Sequence, residues 1–123
     1  MPLPELRFNF HDSLLYGFVV GPRYEATLKV RLYEIFYPGG QMVLVRFGKI
    51  ANFETVRSFL EAMELPEDRG NPYARLDALC YDPKMKSTSN DLHFFLELDG
   101  VGKLQIHCGK MTIDIQGKNL NTE

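Results

Sequence analysis

Cysteine is scarce in this chain of 123 residues, with two in all, and neither belongs to a CxxC or other short metal-ligand pattern. A disulfide-built miniprotein is excluded, and a chain of this length buries roughly two thirds of its unfolded surface without crosslinks or metal. A basic excess is missing too: 14 Lys and Arg stand against 16 Asp and Glu, a formal net charge of −2. Phosphate neutralisation needs a basic surplus, so no nucleic-acid partner is expected. No apolar run approaches the ~18 residues of a membrane span, and no membrane partner is expected either. The opening residues Met1-Pro-Leu-Pro-Glu lack the basic start and apolar stretch of a secretory leader. The expectation is a cytoplasmic protein with Cys80 and Cys108 reduced and behaving as small hydrophobes. With no internal period and no low-complexity tract, residues 1–123 are expected to form one domain with a frayed polar tail from about residue 117.

What is present is β-forming alternation. Leu14 to Val20 and Ala26 to Tyr33 flank Gly21-Pro22-Arg23, a hairpin signal. A three-residue turn places Leu14, Tyr16 and Phe18 opposite Val30, Leu28 and Ala26 on one apolar face. Tyr37-Pro38-Gly39-Gly40 reads as the next turn and Gln41 to Phe47 as the third strand, with Val45 opposite Leu32 and Phe47 opposite Val30. From Asn52, a residue suited to capping, Phe53, Val56, Phe59, Leu60 and Met63 recur at helical spacing until Pro66 stops the helix by Leu65. Tyr73 to Tyr81 reads as a fourth strand, Lys84 to Asp91 as an excursion, and Leu92 to Leu98, Lys103 to Cys108 and Met111 to Gln116 as three more strands. Their turns are Asp99-Gly100-Val101 and Gly109-Lys110. The fold class expected is α+β: about seven strands in antiparallel meanders, ordered βββ-α-β-βββ, forming a bent sheet or a sandwich with one helix over a face or an open end.

Candidate chemistry is sparse. If the turn at residues 99–101 keeps Phe94, Leu96 and Leu98 on the face of Leu104 and Ile106, His93 falls directly opposite His107. Two imidazoles with a carboxylate from Asp91 or Glu97 form a set able to ligate a divalent metal, set against the plainer reading of a solvated sheet face. His11-Asp12-Ser13 has the residue types of a catalytic triad, but consecutive residues of an extended chain point to alternate sides and do not converge. These three are read as a structural element where the first strand begins. No catalytic residues and no cofactor are expected. Residues 51–100 carry 10 acids against 5 bases, and the rest of the chain 6 against 9. Glu61, Glu64, Glu67 and Asp68 concentrate that acidity at the helix end, and with Tyr33 and Tyr37 they are the candidate contacts to a protein partner. Tyr24 and Tyr73 are further candidates for exposed contacts, whereas Phe36 is assigned to the core by its spacing.

The segments Phe10-His-Asp-Ser-Leu-Leu, Val45-Arg-Phe-Gly-Lys-Ile and Gly102-Lys-Leu-Gln-Ile-His-Cys-Gly-Lys-Met-Thr-Ile-Asp-Ile resemble small bacterial families that open on a His-Asp-Ser element and close on a β-hairpin, among them the immunity-protein-50-like family. The resemblance implies a bacterial protein that neutralises a toxin by binding and carries over no catalytic residues. The sequence thus favours a non-enzymatic binding protein, of inhibitor or immunity type, over an enzyme. The alternative is a metal- or small-ligand-binding protein using the histidine pair. A homodimer formed through open sheet edges is a further expectation.

Overall fold

Apolar and polar side chains alternate along most of the strands, so each strand has an inner row and an outer row, and the inner rows require a closed interior. The computed structural model describes residues 9–63, 70–82 and 91–115. Their elements are β1 (Ser13–Gly21), β2 (Glu25–Arg31), β3 (Met42–Ile50), α1 (Phe53–Glu61), β4 (Ala74–Tyr81), β5 (Leu92–Leu98) and β6 (Gly102–Ile115). All neighbours are antiparallel, and the strands close into a barrel in the order β1-β2-β3-β6-β5-β4. This corrects the expected open sheet or sandwich of about seven strands. Two facts make the difference: the last two expected strands are one, and β1 pairs with β4 through Ser13↔Leu76, Leu14↔Arg75 and Leu15↔Ala74.

The expected turn at Gly109-Lys110 does not exist. β6 runs through it, pairing Gly102 to Cys108 with β5 and Cys108 to Ile115 with β3. What the apolar pattern does show there is a change of facing. Leu104, Ile106 and Cys108 point inward, then Met111 does, and β3 makes the matching change between Phe47 and Ile50. Lys49 adopts a left-handed conformation, φ 53°, opposite Gly109. A Cβ on Gly109 would sit 3.0 Å from the Lys49 Cβ, and one on Gly48 would sit 2.6 Å from the Lys110 Cε. Each glycine therefore makes room for a lysine of the facing strand, and both strands kink together with the same register on either side.

A β-bulge at Tyr16 alters β1 as well. Leu15 pairs with Val30, but Gly17 pairs with Lys29 and Phe18 with Leu28, so the inward set passes from Ser13 and Leu15 to Phe18 and Val20. The bulge turns Leu14 and Tyr16 off the expected inner face, while Phe18 stays inward but opposite Leu28 and not Ala26, because the turn falls at residues 22–24. Between β2 and β3 the pairs are Ala26↔Phe47, Leu28↔Val45 and Val30↔Val43. That register is four residues from the one expected, because the loop extends from Leu32 to Gln41, closed by the Leu32 N–H donating to the Gln41 carbonyl at 2.7 Å. An even shift leaves the same side chains facing inward.

The interior is filled by side chains, as a six-stranded ring requires. Rows such as Leu28–Val45–Ile113 and Leu79–Leu96–Leu104 cross the strands, and Phe94 stacks on Tyr81 and meets Phe47 edge-on. Helix α1 touches β6 and β1, strands on opposite sides of the ring, so it lies across the barrel mouth with Val56 and Leu60 buried. Asn52 occupies the cap position, yet its side chain makes no cap. Its Nδ2 donates to the Gln105 carbonyl at 2.7 Å and its Oδ1 accepts from the His107 N–H at 3.0 Å, while the Ala51 N–H reaches the His107 carbonyl. Residues 51 and 52 thus pair the edge of β6 that extends past β3. Truncating Asn52→Ala strips a donor and an acceptor from that edge and is expected to cost about 2 kcal/mol in urea unfolding. A loss no larger than that of an ordinary surface alanine would contradict the edge role.

Candidate functional site

Strand β1 lies between β2 and β4, so an outward residue of β1 has outward neighbours on both sides. Leu14 is paired with Arg31 on β2 and Arg75 on β4, which sets the two arginine backbones about 10 Å apart across one leucine. Around this row lies a cleft of about 360 Å³ lined by Asp12, Leu14, Arg31, Leu32, Tyr33, Glu34 and Arg75. Its two arginines differ. Arg75 is held among Asp12, Asp77 and Asp99 at 3.6, 3.4 and 3.4 Å. Arg31 has no carboxylate partner among the described residues. It is seated by packing instead, since a Cβ on Gly40 would fall 2.2 Å from its Nε. Gly40, with φ 66°, is needed there both for its backbone angle and for the guanidinium lying over it.

The β2–β3 loop forms one wall of the cleft and is ordered by its own bonds. The Tyr37 N–H donates to the Tyr33 carbonyl at 2.9 Å, the Phe36 N–H to the same oxygen at 3.0 Å, and the Tyr33 and Phe36 rings meet edge-on at 5.3 Å. The Tyr37 hydroxyl accepts the Asn9 N–H at 2.7 Å. This scaffold holds Ile35 70% exposed and Phe36 45% exposed. Phe36 is therefore a surface residue, which corrects its assignment to the core.

The N-terminal element supports the cleft's other side. The Ser13 N–H donates to the Phe10 carbonyl at 3.0 Å across a turn, with Asp12 at φ 63°, a region aspartate visits more readily than most residues. His11 Nδ1 lies 3.0 Å from the Asp77 carbonyl, and its Nε2 lies 3.5 Å from the Asp12 carboxylate. Ser13 is fully buried on the other side of the chain, so the three side chains form no relay.

His93 and His107 are paired directly across β5 and β6, with ring centroids 4.4 Å apart. His93 is only 7% exposed although it stands on the outer face, and its Nε2 meets Asp91 Oδ2 at 3.1 Å. Glu97 sits four residues along β5, opposite Lys103, roughly 13 Å from His93 and out of reach. Among the described residues no group of three His, Cys, Asp or Glu side chains is placed to hold a metal. Nearby, the Gln105 amide donates to Asp82 at 2.7 Å.

The other expected contacts are spread out. Tyr33 and Tyr37 belong to the cleft loop, and Tyr24 is exposed with its ring edge-on to Phe53. Tyr73 is half-buried against Phe18 at 5.2 Å. Glu61 is exposed on α1, and Glu64, Glu67 and Asp68 lie outside the described residues, as do 83–90 and the tail from 116. The tyrosine loop precedes β3 and the helix follows it, so the nine residues of β3 set roughly 25 Å between them. Glu61 and the two tyrosines therefore lie on separate surfaces. Sequence reasoning missed Arg31, Arg75 and Ile35. The outward alternation of Lys29 and Arg31 marks Arg31 as exposed, but nothing local ties it to Arg75, 44 positions away. No known family, curated protein or solved structure matches this chain, and no helix among the described residues is long and apolar enough to cross a membrane.

The cysteines are both free, Cys80 exposed and Cys108 buried. Burial and then the Asp82 charge push the Cys80 thiol above its ordinary pKa. Burial pushes Cys108 up to about 11, with Asp91 adding to it and a hydrogen bond from the Lys110 backbone opposing it. A thiol reagent at neutral pH is expected to label Cys80 alone, more slowly than a free thiol, and to reach Cys108 only on unfolding. A raised thiol pKa stabilises the fold fully below the unfolded value of 9.0, and that contribution is lost as pH climbs through about 11. Urea midpoints across this range should fall for the natural chain and less for Cys108→Ala. Equal labelling of both thiols in the folded chain would contradict the assignment.

Proposed function

We propose that this chain is a non-enzymatic protein-binding domain, of inhibitor or immunity type, whose contact surface is the β2–β3 loop and the cleft beside it. One observation carries the reading: Ile35 and Phe36 are held out in water by a loop that is itself hydrogen-bonded, beside Arg31, which has no described carboxylate partner. Two neighbouring large apolar side chains on a rigid loop expose area that binding recovers at little ordering cost. Arg31 gives that surface a preference for a carboxylate, because its planar guanidinium lies over Gly40 beside Leu14 in the cleft with no described carboxylate partner. The partner that fits presents an acidic side chain next to an apolar one.

The test compares capture from extracts of the source cell by the natural chain and by the double variant Ile35→Asp, Phe36→Ser. A discrete protein retained by the first and lost by the second, with unchanged circular dichroism, is the expected result. Association of that protein should slow as salt rises and weaken about tenfold or more for Arg31→Ala. Identical sets of captured proteins from both chains would overturn the reading.

A further inference from the structure

Closure of the barrel is incomplete along β1. Its pairing with β4 ends at Leu15↔Ala74, extended only by the Tyr73 N–H donating to the Leu15 carbonyl, while its pairing with β2 continues to Gly21. The bulge at Tyr16 bends β1 away from β4 at that point. Gly17 to Gly21 is therefore an open edge, with no backbone partner among the described residues on the β4 side. Alternate residues of a strand turn their N–H and C=O groups to each side, so this stretch offers unpaired backbone groups.

Protein edges are commonly guarded by charge or proline. β1, Ser-Leu-Leu-Tyr-Gly-Phe-Val-Val-Gly, contains neither. Val19 stands at the middle of the open stretch with 65% of its surface exposed. Gly17 and Gly21 stand symmetrically about it, Gly17 directly after the bulge and Gly21 at the end of the strand. Neither has a positive φ, a Cβ at Gly21 would meet nothing within 4 Å, and one at Gly17 would meet only the Lys29 Cβ at 3.9 Å. Glycine within a strand marks a bulge, as at Gly17, or leaves room for the approach of another backbone, as Gly21 does with nothing within 4 Å of a Cβ there.

We infer that the edge of β1 pairs with the same edge of a second copy of this chain, antiparallel about a two-fold axis through Val19. The sequence is self-complementary in that register. Val19 faces Val19 of the other copy, Phe18 faces Val20, and each Gly17 faces a Gly21, so the ladder forms with no charge to bury or repel. A two-fold contact of this kind closes on itself and stops at the dimer. The pairing lies on β1 past the bulge, whereas the cleft uses residues before it, so the two surfaces stand independently.

Sedimentation of the full chain over a wide concentration range is expected to show a monomer–dimer equilibrium. Val19→Lys sets like charges directly opposite each other and should weaken it about tenfold or more. The exposed site tolerates the lysine, which circular dichroism checks. In a Cys80→Ser background, Val19→Cys should form a covalent dimer on mild oxidation, and Thr27→Cys, the β2 neighbour of Val19, should not. A folded chain that stays monomeric throughout would overturn the inference. So would a Val19→Lys dimer as tight as the natural one, or crosslinking at residue 27 as ready as at residue 19.

Discussion

Three residue pairs, Ser13↔Leu76, Leu14↔Arg75 and Leu15↔Ala74, turn a curved antiparallel sheet into a ring. Without them β1 and β4 would each present a full edge and the inner rows would face an open trough. With them the interior is enclosed, and the core from Leu15 through Val45 and Phe94 to Leu104 is shielded from water. Antiparallel ladders supply the backbone bonds, but apolar burial supplies most of the driving force, and burial on this scale needs the ring. Helix α1 completes the enclosure by bridging opposite strands across one mouth.

The same closure makes the cleft. Arg31 and Arg75 become neighbours only because β1 is flanked on both sides, and Leu14 is then the floor between them. The N-terminal turn that starts β1 in the right phase also delivers Asp12 to Arg75. Structure and site therefore share residues: Asp12 sets a backbone turn with its left-handed φ and fixes a guanidinium with its carboxylate. Past the bulge at Tyr16, β1 passes from a strand paired on both sides to one with no backbone partner among the described residues on the β4 side.

How far this was legible in the sequence depended on the range over which the deciding interaction acts. The pairing of His93 with His107 was readable because a short turn and unbroken alternation fix it locally. The helix was readable from its spacing, although Asn52 was not, since its side chain leaves the helix to serve a strand 53 residues away. At Gly109-Lys110 the break in alternation is real, but it marks a kink in one continuous strand and not a turn. The companion break between Phe47 and Ile50 shows that two paired strands kink together, a relation visible only once β3 and β6 are known to be partners. Ring closure left no local trace at all, because nothing within β1 or β4 names the other. For the same reason the cleft, built from three distant segments, stayed hidden, while its loop tyrosines were found by residue type.

Amide hydrogen exchange along β1 measures closure and its limit in one experiment. The account predicts slow exchange for Ser13 to Leu15 at every protein concentration, and amides within Gly17 to Gly21 on the open side that exchange fast in dilute solution and slow as concentration rises. Fast exchange at Ser13 to Leu15 would contradict the closed ring, and concentration-independent exchange at Gly17 to Gly21 would contradict the paired edge.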